Sequence, residues 1–495
     1  MTDPLFIGID VGTTSVKAAL IDGRGRSLRS TAGAYPVRRP APGVVEQNPN
    51  DWMELVLQAL RELGDGLPSG TVAGIGLCSQ VNTHVFTDDR LTPLLPAIVW
   101  QDGRCAAEAL ALDAGITGAE RMAWWGAPLP VDASHVLSRI AWVTSHCPDV
   151  WARTRWVLAP KDYCLARLTG AVITDPMTAF GVIDSALAPI AALTARVPGA
   201  ASRLPPMAGF TARAGRVAAG LPCAGTPVAV GTMDAWAGFL GAGARRDGDA
   251  VYLSGTSEIL GLVSRTKVPT PGVIAFPECE GLTIHAGPTQ SGGASVAWLG
   301  HLIGRTVAQI SELAAAADPD GPVPVFLPHL QGERAPLWDI TARASFSGLD
   351  GGMGPAELAR AVFEGVAYSA RWLLGSLEAS AACRPPQLTL AGGGAASGIW
   401  CQIRADVLGR PLQRSAMLDA GVLGSAMLAA VGAGAFGSIA EAQQAMVRPG
   451  RVFHPDPKRQ ARHDQGFARY QELYRLLKPF NAALAQPIIG GGTKL

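Results

Sequence analysis

The sequence is informative first through what it lacks. The 495-residue chain has no G-x-x-x-x-G-K-[ST] stretch, which excludes the phosphate loop of P-loop enzymes. No G-x-G-x-x-G opens a helix after the first predicted strand, so dinucleotide binding is not expected. None of the eight cysteines stands in C-x-x-C or zinc spacing, which indicates reduced, buried thiols rather than disulfides or a zinc site.

Charge and long apolar runs are also scarce. The net charge is +1 from 41 basic and 40 acidic residues without a Lys/Arg run, so no nucleic-acid partner is expected. No basic region precedes the first apolar run, so we expect no signal peptide and a cytoplasmic protein. Residues 420–440 carry no charge and are long enough to span a bilayer. Their density of Gly and Ala favours a tightly packed core helix instead, so no membrane partner is expected.

The chain begins with a predicted strand–turn–strand stretch. Phe6–Ile9 and Val16–Ile21 are short apolar runs, separated by the turn Gly12–Ser15. Asp10 ends the first run. A carboxylate beside a Gly/Thr turn suits hydrated Mg²⁺ and phosphate, because glycine admits backbone amides and hydroxyls donate to phosphate oxygens. On this stretch alone, an ordinary hairpin with an exposed Asp fits equally well.

A second stretch of the same kind lies near the middle of the chain. Asp234 stands among small and apolar residues, and the apolar run 250–253 leads into the turn Ser254–Ser257. Two such hairpins, facing each other across a cleft, would hold nucleotide phosphates without a single phosphate loop. The pair therefore favours a phosphate-binding function over the ordinary hairpin.

Further stretches follow in a fixed order. They are GIDVGTTSVKAALID at the start, VEQNPNDW (45–52), PAIVWQDGR (96–104), LAPKDY (158–163), GTMDAWAGFLGAG (231–243), YLSGTSE (252–258), FLPHLQGERAPLWD (326–339), ASFSGLDGGMGPAELARAVFEG (344–365) and TLAGGGAASGIWCQIRADVLGRPL (389–412). In order and spacing they resemble the FGGY carbohydrate kinases over residues 5–480, with the xylulokinases as the nearest branch. One departure is Arg139, which stands where the family's first signature usually has Lys.

The resemblance implies an α/β protein with the two-domain actin-like ATPase (ribonuclease H-like) fold and an interdomain cleft. A polar break after Gly243 marks the predicted domain boundary. We expect an N-terminal domain at 1–243 with the sugar side, the first phosphate hairpin and the catalytic Asp. A C-terminal domain at 244–485 would carry the second phosphate loop and the adenosine site. Residues 486–495 are predicted to be a disordered tail.

The resemblance also implies an ATP-dependent sugar kinase that phosphorylates a hydroxyl of a ketose, with D-xylulose or a similar ketopentose as the first choice. Inside the family, the alternative is another ketose, a tetrulose or a sugar alcohol. Outside it, the alternatives are an actin-like ATPase and a sugar-binding regulator without transfer. ATP and Mg²⁺ are the expected cofactors and a small sugar the expected partner, and a homodimer is left open.

Residue roles follow from matching positions. Asp234 is predicted to be the base that takes the proton of the sugar hydroxyl, and Asp10 to hold a Mg²⁺-bound water. Asp234 can also cap a helix, and Lys17 can be a solvated strand residue. Nucleotide contacts are expected from Gly12, Thr13, Thr14, Lys17, Gly255, Thr256, Gly293, Gly393 and Gly394.

The sugar is expected at Val81, Asn82, Trp100, Asp102 and Asp234. Carboxylates accept hydroxyl protons and an indole stacks on C–H faces, although Trp100 fits a core position equally well. Xylulokinases usually have Met-His where this chain has Val81-Asn82, so the substrate stays open. His84, two residues later on the same predicted strand, is expected to face the same side as Asn82 and to substitute in part for the missing histidine, but it also fits a core histidine. Arg104 is positioned to pair with Asp102, and the roles of Glu333 and Arg334 stay open.

Overall fold

A computed structural model of the protein describes residues 3–484. The strands are β1 (Leu5–Val11), β2 (Ser15–Asp22), β3 (Ser27–Ala34), β4 (Glu46–Gln47), β5 (Val72–Ser79), β6 (Val85–Thr87), β7 (Ala97–Ile98), β8 (Trp156–Leu158), β9 (Arg213–Arg216), β10 (Pro227–Ala229), β11 (Thr232–Met233), β12 (Ala250–Ser254), β13 (Glu258–Val263), β14 (Ile274–Ala275), β15 (Ile284–Pro288), β16 (Val325–Leu327), β17 (Ser345–Ser347), β18 (Leu388–Ala391), β19 (Leu412–Ser415) and β20 (Pro449–Phe453).

The helices are α1 (Pro49–Gly64), α2 (Ala106–Ala114), α3 (Gly118–Trp125), α4 (Val136–His146), α5 (Pro148–Arg153), α6 (Pro160–Thr169), α7 (Ala191–Thr194), α8 (Asp234–Gly241), α9 (Gly293–Ile303), α10 (Val307–Ala316), α11 (Pro355–Ala381), α12 (Gly398–Leu408), α13 (Ala420–Gly432), α14 (Ile439–Met446) and α15 (Gln460–Leu484). Short 3₁₀ turns lie at Gly393–Ala396 and Pro457–Arg459.

The chain forms two compact units, and neither is one continuous segment. The first unit takes the chain up to Arg245 and adds Phe276–Thr283 and Asp419–Arg448. The second comprises Arg246–Ala275, Ile284–Leu418 and the described residues from Pro449 onward. A single division at Gly243 therefore does not describe the two returns of the chain to the first unit. The predicted tail, 486–495, lies outside the described residues.

The sheet of the first unit has the order β3-β2-β1-β5-β10-β9, with β11 also paired to β5. β1, β2 and β3 form an antiparallel meander, while β5 runs parallel to β1, and β10 and β11 run parallel to β5. Alternate residues of β1 face opposite sides of this sheet. Ile7 and Ile9 pack with α1 residues such as Trp52 and Val56 in a buried apolar cluster.

The sheet of the second unit has the order β14-β15-β13-β12-β18-β19-β20. β12, β13 and β15 are antiparallel neighbours, and β18 and β19 continue from β12 in parallel. Each sheet thus contains an antiparallel hairpin, β1–β2 or β12–β13. The first strand of each hairpin also pairs with a parallel strand, β5 or β18. This arrangement confirms the prediction of two strand–turn–strand modules, at 6–22 and 251–263.

The charge-free segment forms helix α13 in the first unit, packed closely against β1, β5 and α8. Glycines make this approach possible. A Cβ on Gly8 would overlap the carbonyl oxygen of Val422, one on Gly76 that of Ser425, and one on Gly424 that of Ala237. The prediction of a tightly packed core helix is confirmed. Among the described residues, no helix is long and apolar enough to cross a membrane.

Candidate active site

The strand register of the first unit places two predicted site carboxylates, the metal-binding Asp10 and the catalytic Asp234, at one edge of its sheet. Asp10 of β1 is aligned with Cys78 of the parallel strand β5, and Cys78 is aligned with Thr232 of β11. Asp234 follows β11 directly. Because the carboxyl ends of parallel strands meet at the same edge of a sheet, Asp10 and Asp234 lie at neighbouring strand ends with Cys78 between them.

Asp10 has an incompletely satisfied carboxylate. The residue is half-buried, but Oδ1 is shielded from solvent and has no hydrogen-bond partner among residues 3–484. Burial raises the pKa of Asp10 from 3.8 to about 6, against the lowering effects of the Cys78 thiol and Lys17. On the other side, a Cβ on Gly421 of α13 would lie only 3.1 Å from Oδ2, so the absence of a side chain there leaves room beside the carboxylate.

The Cys78 thiol is buried between the two carboxylates. Its sulfur lies 3.6 Å from the carbonyl oxygen of Gly421. Burial raises its pKa well above the ordinary value, and the charges of Asp10 and Asp234 act in the same direction. The protonated thiol is therefore unreactive. It serves as a weak donor beside Asp10.

Asp234 begins helix α8 and is half-buried. Its Oδ1 accepts the backbone N–H of Ala235 at 2.8 Å. The helix N-cap is the preceding residue, Met233, so Asp234 lies in the first helical turn. The positive end of the helix dipole stabilises a carboxylate at this position. The neighbouring Trp236 is fully buried and packs edge-on against Phe210 and Phe276.

The first Gly/Thr turn is held by hydrogen bonds to its backbone. The Gly12 N–H donates to Ser15 O at 3.0 Å, and the Tyr35 hydroxyl donates to Gly12 O. The Gln47 amide donates to Thr13 O at 2.6 Å. Thr14 is exposed. The Lys17 ammonium pairs with Asp419 at 2.6 Å, so in this structure it neutralises a carboxylate beside Asp10.

The segment after β5 differs from the prediction. β5 ends at Ser79, and Asn82 has a φ of 59°, which is the left-handed region. The prediction that Asn82 and His84 lie on one strand and face the same side is wrong, because the left-handed residue interrupts the alternation. The Asn82 amide donates to Ser134 Oγ at 3.2 Å, and Val81 beside it is half-buried.

His84 is a core histidine. It is buried, and it pairs through its backbone with Ile98. Burial and the charges of Arg139 and His135 hold its pKa well below the ordinary range, so the imidazole is neutral at pH 7. This environment fits the core alternative rather than a substitute for the missing family histidine.

Trp100 and Asp102 occupy different environments although only two residues separate them. Trp100 is half-buried and donates its indole N–H to Thr13 Oγ1 at 3.1 Å, so a predicted sugar contact and a predicted phosphate contact touch each other. Asp102 is buried, and both of its oxygens are engaged. They accept bonds from Arg104 and the Val45 N–H, with Arg139 3.4 Å away. The pairing of Arg104 with Asp102 is confirmed, whereas this environment argues against a direct sugar contact by Asp102.

In the second unit, the Gly/Thr turn between β12 and β13 packs against the start of α9. The N–H of Gly293 donates to Gly255 O at 2.9 Å, and the N–H of Ala294 donates to Thr256 O at 3.0 Å. A Cβ on Gly293 would lie 2.8 Å from Gly255 O. Gly293 therefore permits a close helix–turn contact, and its amide is already used there.

The predicted adenosine glycines begin after β18 as a 3₁₀ turn, followed by α12, whose N-cap Ser397 accepts the N–H of Trp400. A strand, a glycine turn and a helix therefore follow one another at the predicted adenosine glycines. A Cβ on Gly394 would overlap Ser254 Oγ, whereas one on the exposed Gly393 would meet nothing within 4 Å. Gly393 thus offers an open face, and Gly394 packs against the second phosphate turn.

A buried ion pair lies beneath these two elements. Arg404 of α12 contacts Glu258 Oε1 at 2.5 Å and Ser254 Oγ at 2.6 Å, and donates to Gly394 O at 3.3 Å. Its guanidinium lies 3.6 Å above the Trp400 ring. Burial raises the pKa of Glu258, which also accepts the Tyr252 hydroxyl. One arginine therefore joins the phosphate turn to the glycine turn.

Glu333 and Arg334 are anchored separately. Glu333 is buried, with His329 Nδ1 3.0 Å from Oε2, and its Oε1 accepts the Gln290 N–H at 2.5 Å. Arg334 donates to Thr289 O at 2.8 Å. Both residues thus hold the segment that leads into α9, which is a structural role.

The donor set fits Mg²⁺ as an ion held mostly by water and phosphate. Residues 3–484 contain no group of three or more His, Cys, Asp or Glu side chains able to hold a metal. Mg²⁺ is typically bound through one or two carboxylates plus waters and substrate phosphates. The unpartnered oxygen of Asp10 supplies one such carboxylate.

Several supporting residues have no role in the sequence-based prediction. Gln47 and Arg404 donate to the backbone carbonyls of Thr13 and Gly394, and Gln80 and Glu258 in turn bond to Gln47 and Arg404. Three of them stand in the motifs that carry the family resemblance, and Gln80 lies just before the Val81-Asn82 departure. A polar residue inside an otherwise apolar motif could have indicated each of these supporting roles. The sequence does not show their partners, because the partners are far away along the chain.

Comparisons with known proteins agree with this architecture. A xylulose kinase of Escherichia coli K12 is 32% identical over 97% of this chain and 100% of its own length. A xylulose kinase of Klebsiella pneumoniae is 33% identical over 86% of this chain and 90% of its own. The crystal structure of a xyloylose kinase from Brucella ovis superimposes with a TM-score of 0.83 at 29% identity, covering 96% of this chain and 100% of that one.

Comparison with protein families gives two matches, and each matched range contains one of the two Gly/Thr hairpins. Residues 5–183 match the N-terminal domain of the FGGY family of carbohydrate kinases, and residues 250–433 match its C-terminal domain. Together these matches cover both Gly/Thr turns, and the full-length relatives extend over nearly the whole chain. The chain belongs to the FGGY family of carbohydrate kinases.

Proposed function

We propose that the protein transfers the γ-phosphoryl group of ATP to a hydroxyl of D-xylulose. One observation carries this proposal: Asp10, with an unpartnered oxygen, and Asp234, at a helix start, lie at neighbouring strand ends. Phosphoryl transfer needs charge neutralisation and a base for the incoming hydroxyl, and these two carboxylates have environments suited to the two tasks.

Asp234 is the proposed base. Its Oδ1 is occupied by the Ala235 N–H, and in the reaction the carboxylate would take the proton of the attacking hydroxyl. Asp10 would hold the water shell of Mg²⁺. When bound, Mg²⁺ neutralises charge on the transferring phosphoryl group.

The nucleotide would contact residues of both Gly/Thr turns and of the glycine turn. Thr13 and Thr14 have hydroxyls at the first turn, and Lys17 would exchange Asp419 for phosphate oxygens. Gly255 and Thr256 would contact phosphate through their backbone, and the open face of Gly393 supports an adenosine contact. Gly293 and Gly394 would not contact the nucleotide themselves. They would allow α9 and the glycine turn to pack closely against the second Gly/Thr turn.

The sugar assignment rests on the xylulose kinases among the relatives and on Trp100 and Asn82. Asn82 presents an amide, which can donate to and accept from a hydroxyl. Another ketose, a tetrulose or a sugar alcohol is the alternative, because the usual Met-His pair is replaced by Val81-Asn82. A homodimer and a cytoplasmic location remain proposals.

A coupled ADP-release assay tests the function. Mg-ATP would be supplied with a panel of ketoses, aldoses and polyols, with Asp234→Ala measured alongside. We expect D-xylulose to raise turnover well above the sugar-free rate and the variant to lose about 10²–10⁴-fold in kcat. If another sugar of the panel gives the highest turnover, that sugar replaces D-xylulose as the proposed substrate. ATP hydrolysis at one rate with every sugar would favour an ATPase, and sugar binding without any turnover would favour a regulator.

A further inference from the structure

Five residues of the first unit form a closed ring of hydrogen bonds, the amide ring: Thr13, Gln47, Gln80, Thr83 and Trp100. Gln47 Nε2 donates to Thr13 O at 2.6 Å, and Gln80 Nε2 donates to Gln47 Oε1 at 2.7 Å. Thr83 Oγ1 donates to Gln80 Oε1 at 3.2 Å, and the backbone N–H of Trp100 donates to Thr83 Oγ1 at 3.1 Å. The Trp100 indole closes the ring on Thr13 Oγ1 at 3.1 Å.

Three of the five ring residues are buried, and none of the five carries a charge. Gln47, Gln80 and Thr83 are at most 1% exposed. Each glutamine accepts one bond with its oxygen and donates one with its nitrogen. Each position requires a side chain that has both a hydrogen-bond donor and an acceptor. A glutamate has the same shape, but its second oxygen would replace the donating NH₂ group and would lie against another acceptor oxygen. The residue types therefore fit a directed chain of donors and acceptors.

The ring connects two predicted ligand contacts. At one side is Trp100, the proposed sugar contact, which the ring fixes through both its backbone N–H and its indole N–H. At the other is Thr13, the proposed phosphate contact. The Thr13 hydroxyl accepts the indole N–H, and residues 3–484 offer its own proton no hydrogen-bond acceptor. That proton remains available for a phosphate oxygen.

We propose that Gln47 and Gln80 are positioning residues that couple sugar binding at Trp100 to nucleotide binding at Thr13. This inference rests on the proposed kinase function. A sugar that packs on the indole would hold Trp100 in the position shown here, and the hydrogen bonds of the amide ring would hold the Thr13 carbonyl and hydroxyl with it. Because coupling between two sites is reciprocal, nucleotide must tighten sugar binding by the same factor.

A purely structural role predicts a different result. Loss of a merely supporting ring would lower stability and would weaken the binding of each ligand by the same factor, whether or not the other ligand is present. Loss of a coupling ring would reduce the effect of one ligand on the affinity for the other. The ratio of the two sugar dissociation constants, with and without nucleotide, separates these cases.

Calorimetry would measure D-xylulose binding with and without saturating Mg-ADP. The variants are Gln80→Glu, Gln80→Met and Thr83→Val. The matched control is Thr87→Val, because Thr87 is also buried but its hydroxyl has no hydrogen-bond partner among the described residues. We expect Mg-ADP to tighten sugar binding about 5-fold or more in the wild type and the control, and less than about 2-fold in the ring variants.

Circular dichroism would establish that each variant is folded, and Thr83→Val is the mildest change if the Gln80 variants fail. A coupling ratio in Thr83→Val equal to that of Thr87→Val would overturn the inference while leaving the kinase function intact. The turnover assay of the wild type reports on the function separately. A wild type that binds no sugar of the panel would end both proposals.

Discussion

The two Gly/Thr turns have similar sequences but different supports. Behind the first turn lies the amide ring, whose members are neutral and linked by ordinary hydrogen bonds. Behind the second lies the buried pair of Arg404 and Glu258. A neutral hydrogen bond contributes about 1 kcal/mol and re-forms at small cost, whereas separation of a buried ion pair exposes a bare charge to an apolar interior.

The difference indicates which turn can adjust. The first turn, with its neutral support, suits a response to a second ligand. The second turn is bound to the glycine turn through one guanidinium and suits a fixed frame for the nucleotide. Two turns with similar sequences can therefore differ in how readily their conformation changes.

Removal of one charge from the second support should have the largest effect on stability. Arg404→Met leaves the Glu258 carboxylate buried without its partner, and we expect a loss of about 3–5 kcal/mol in the free energy of unfolding. Urea denaturation measures it. Arg475→Met is the control, because its pair with Glu472 is exposed, and it should stay within about 0.5 kcal/mol of the wild type.

A double variant shows whether charge is the cause. Arg404→Met combined with Glu258→Gln removes both charges and should recover most of the lost stability. If the double variant is no more stable than Arg404→Met, the loss comes from packing on Trp400, and the comparison between charged and neutral supports fails.

The carboxylate of the first turn should show the next largest effect, and it depends on pH. The folded state holds a proton on Asp10 up to about pH 6, whereas the unfolded state releases it near 3.8. Wild-type stability therefore declines between these values, and Asp10→Asn removes the decline. Without ligand, the variant should be more stable above pH 6 by at most about 3 kcal/mol, reduced by solvent screening, and nearly equal near pH 4.

Thermal unfolding at several pH values measures this difference. Saturating Mg-ADP should reverse the order at pH 8, because only the wild type has the carboxylate proposed to hold the metal. A ligand-free variant that is less stable than the wild type at pH 8 would show that the Asp10 carboxylate is stabilised, not strained, by its surroundings.

Opening of the amide ring should have the smallest effect. Thr83→Val leaves the Trp100 N–H and Gln80 Oε1 without this partner, and we expect a loss of about 1–2 kcal/mol. Since every ring member is neutral, the loss should be the same from pH 5 to 8. Urea denaturation at both pH values measures it, with Thr87→Val expected to cost nothing. A strong pH dependence would show that the ring is not neutral.

The sequence predicted what local patterns encode. Apolar runs with Gly and Thr between them gave both hairpins, and the Gly-rich, charge-free segment gave a close-packed helix. The alternation argument failed at Asn82, because one left-handed residue changes the side to which the following residues point. Asp102 was predicted to contact the sugar because of its motif, but only the fold shows Arg104, Arg139 and the Val45 N–H around it.

By itself, the sequence determined the family and the two Gly/Thr turns, because these depend on residues close together in the chain, and it led to the proposals for Asp10 and Asp234. The tertiary structure alone decided that β5 and β11 align Cys78 and Thr232 with Asp10, so that Asp234 follows at the same edge of the sheet. It also decided that residues 419–448 return to the first unit and that Arg404 meets Glu258. Strand register and buried polar partners join residues far apart in sequence, and they are set by the free energy of packing the whole unit.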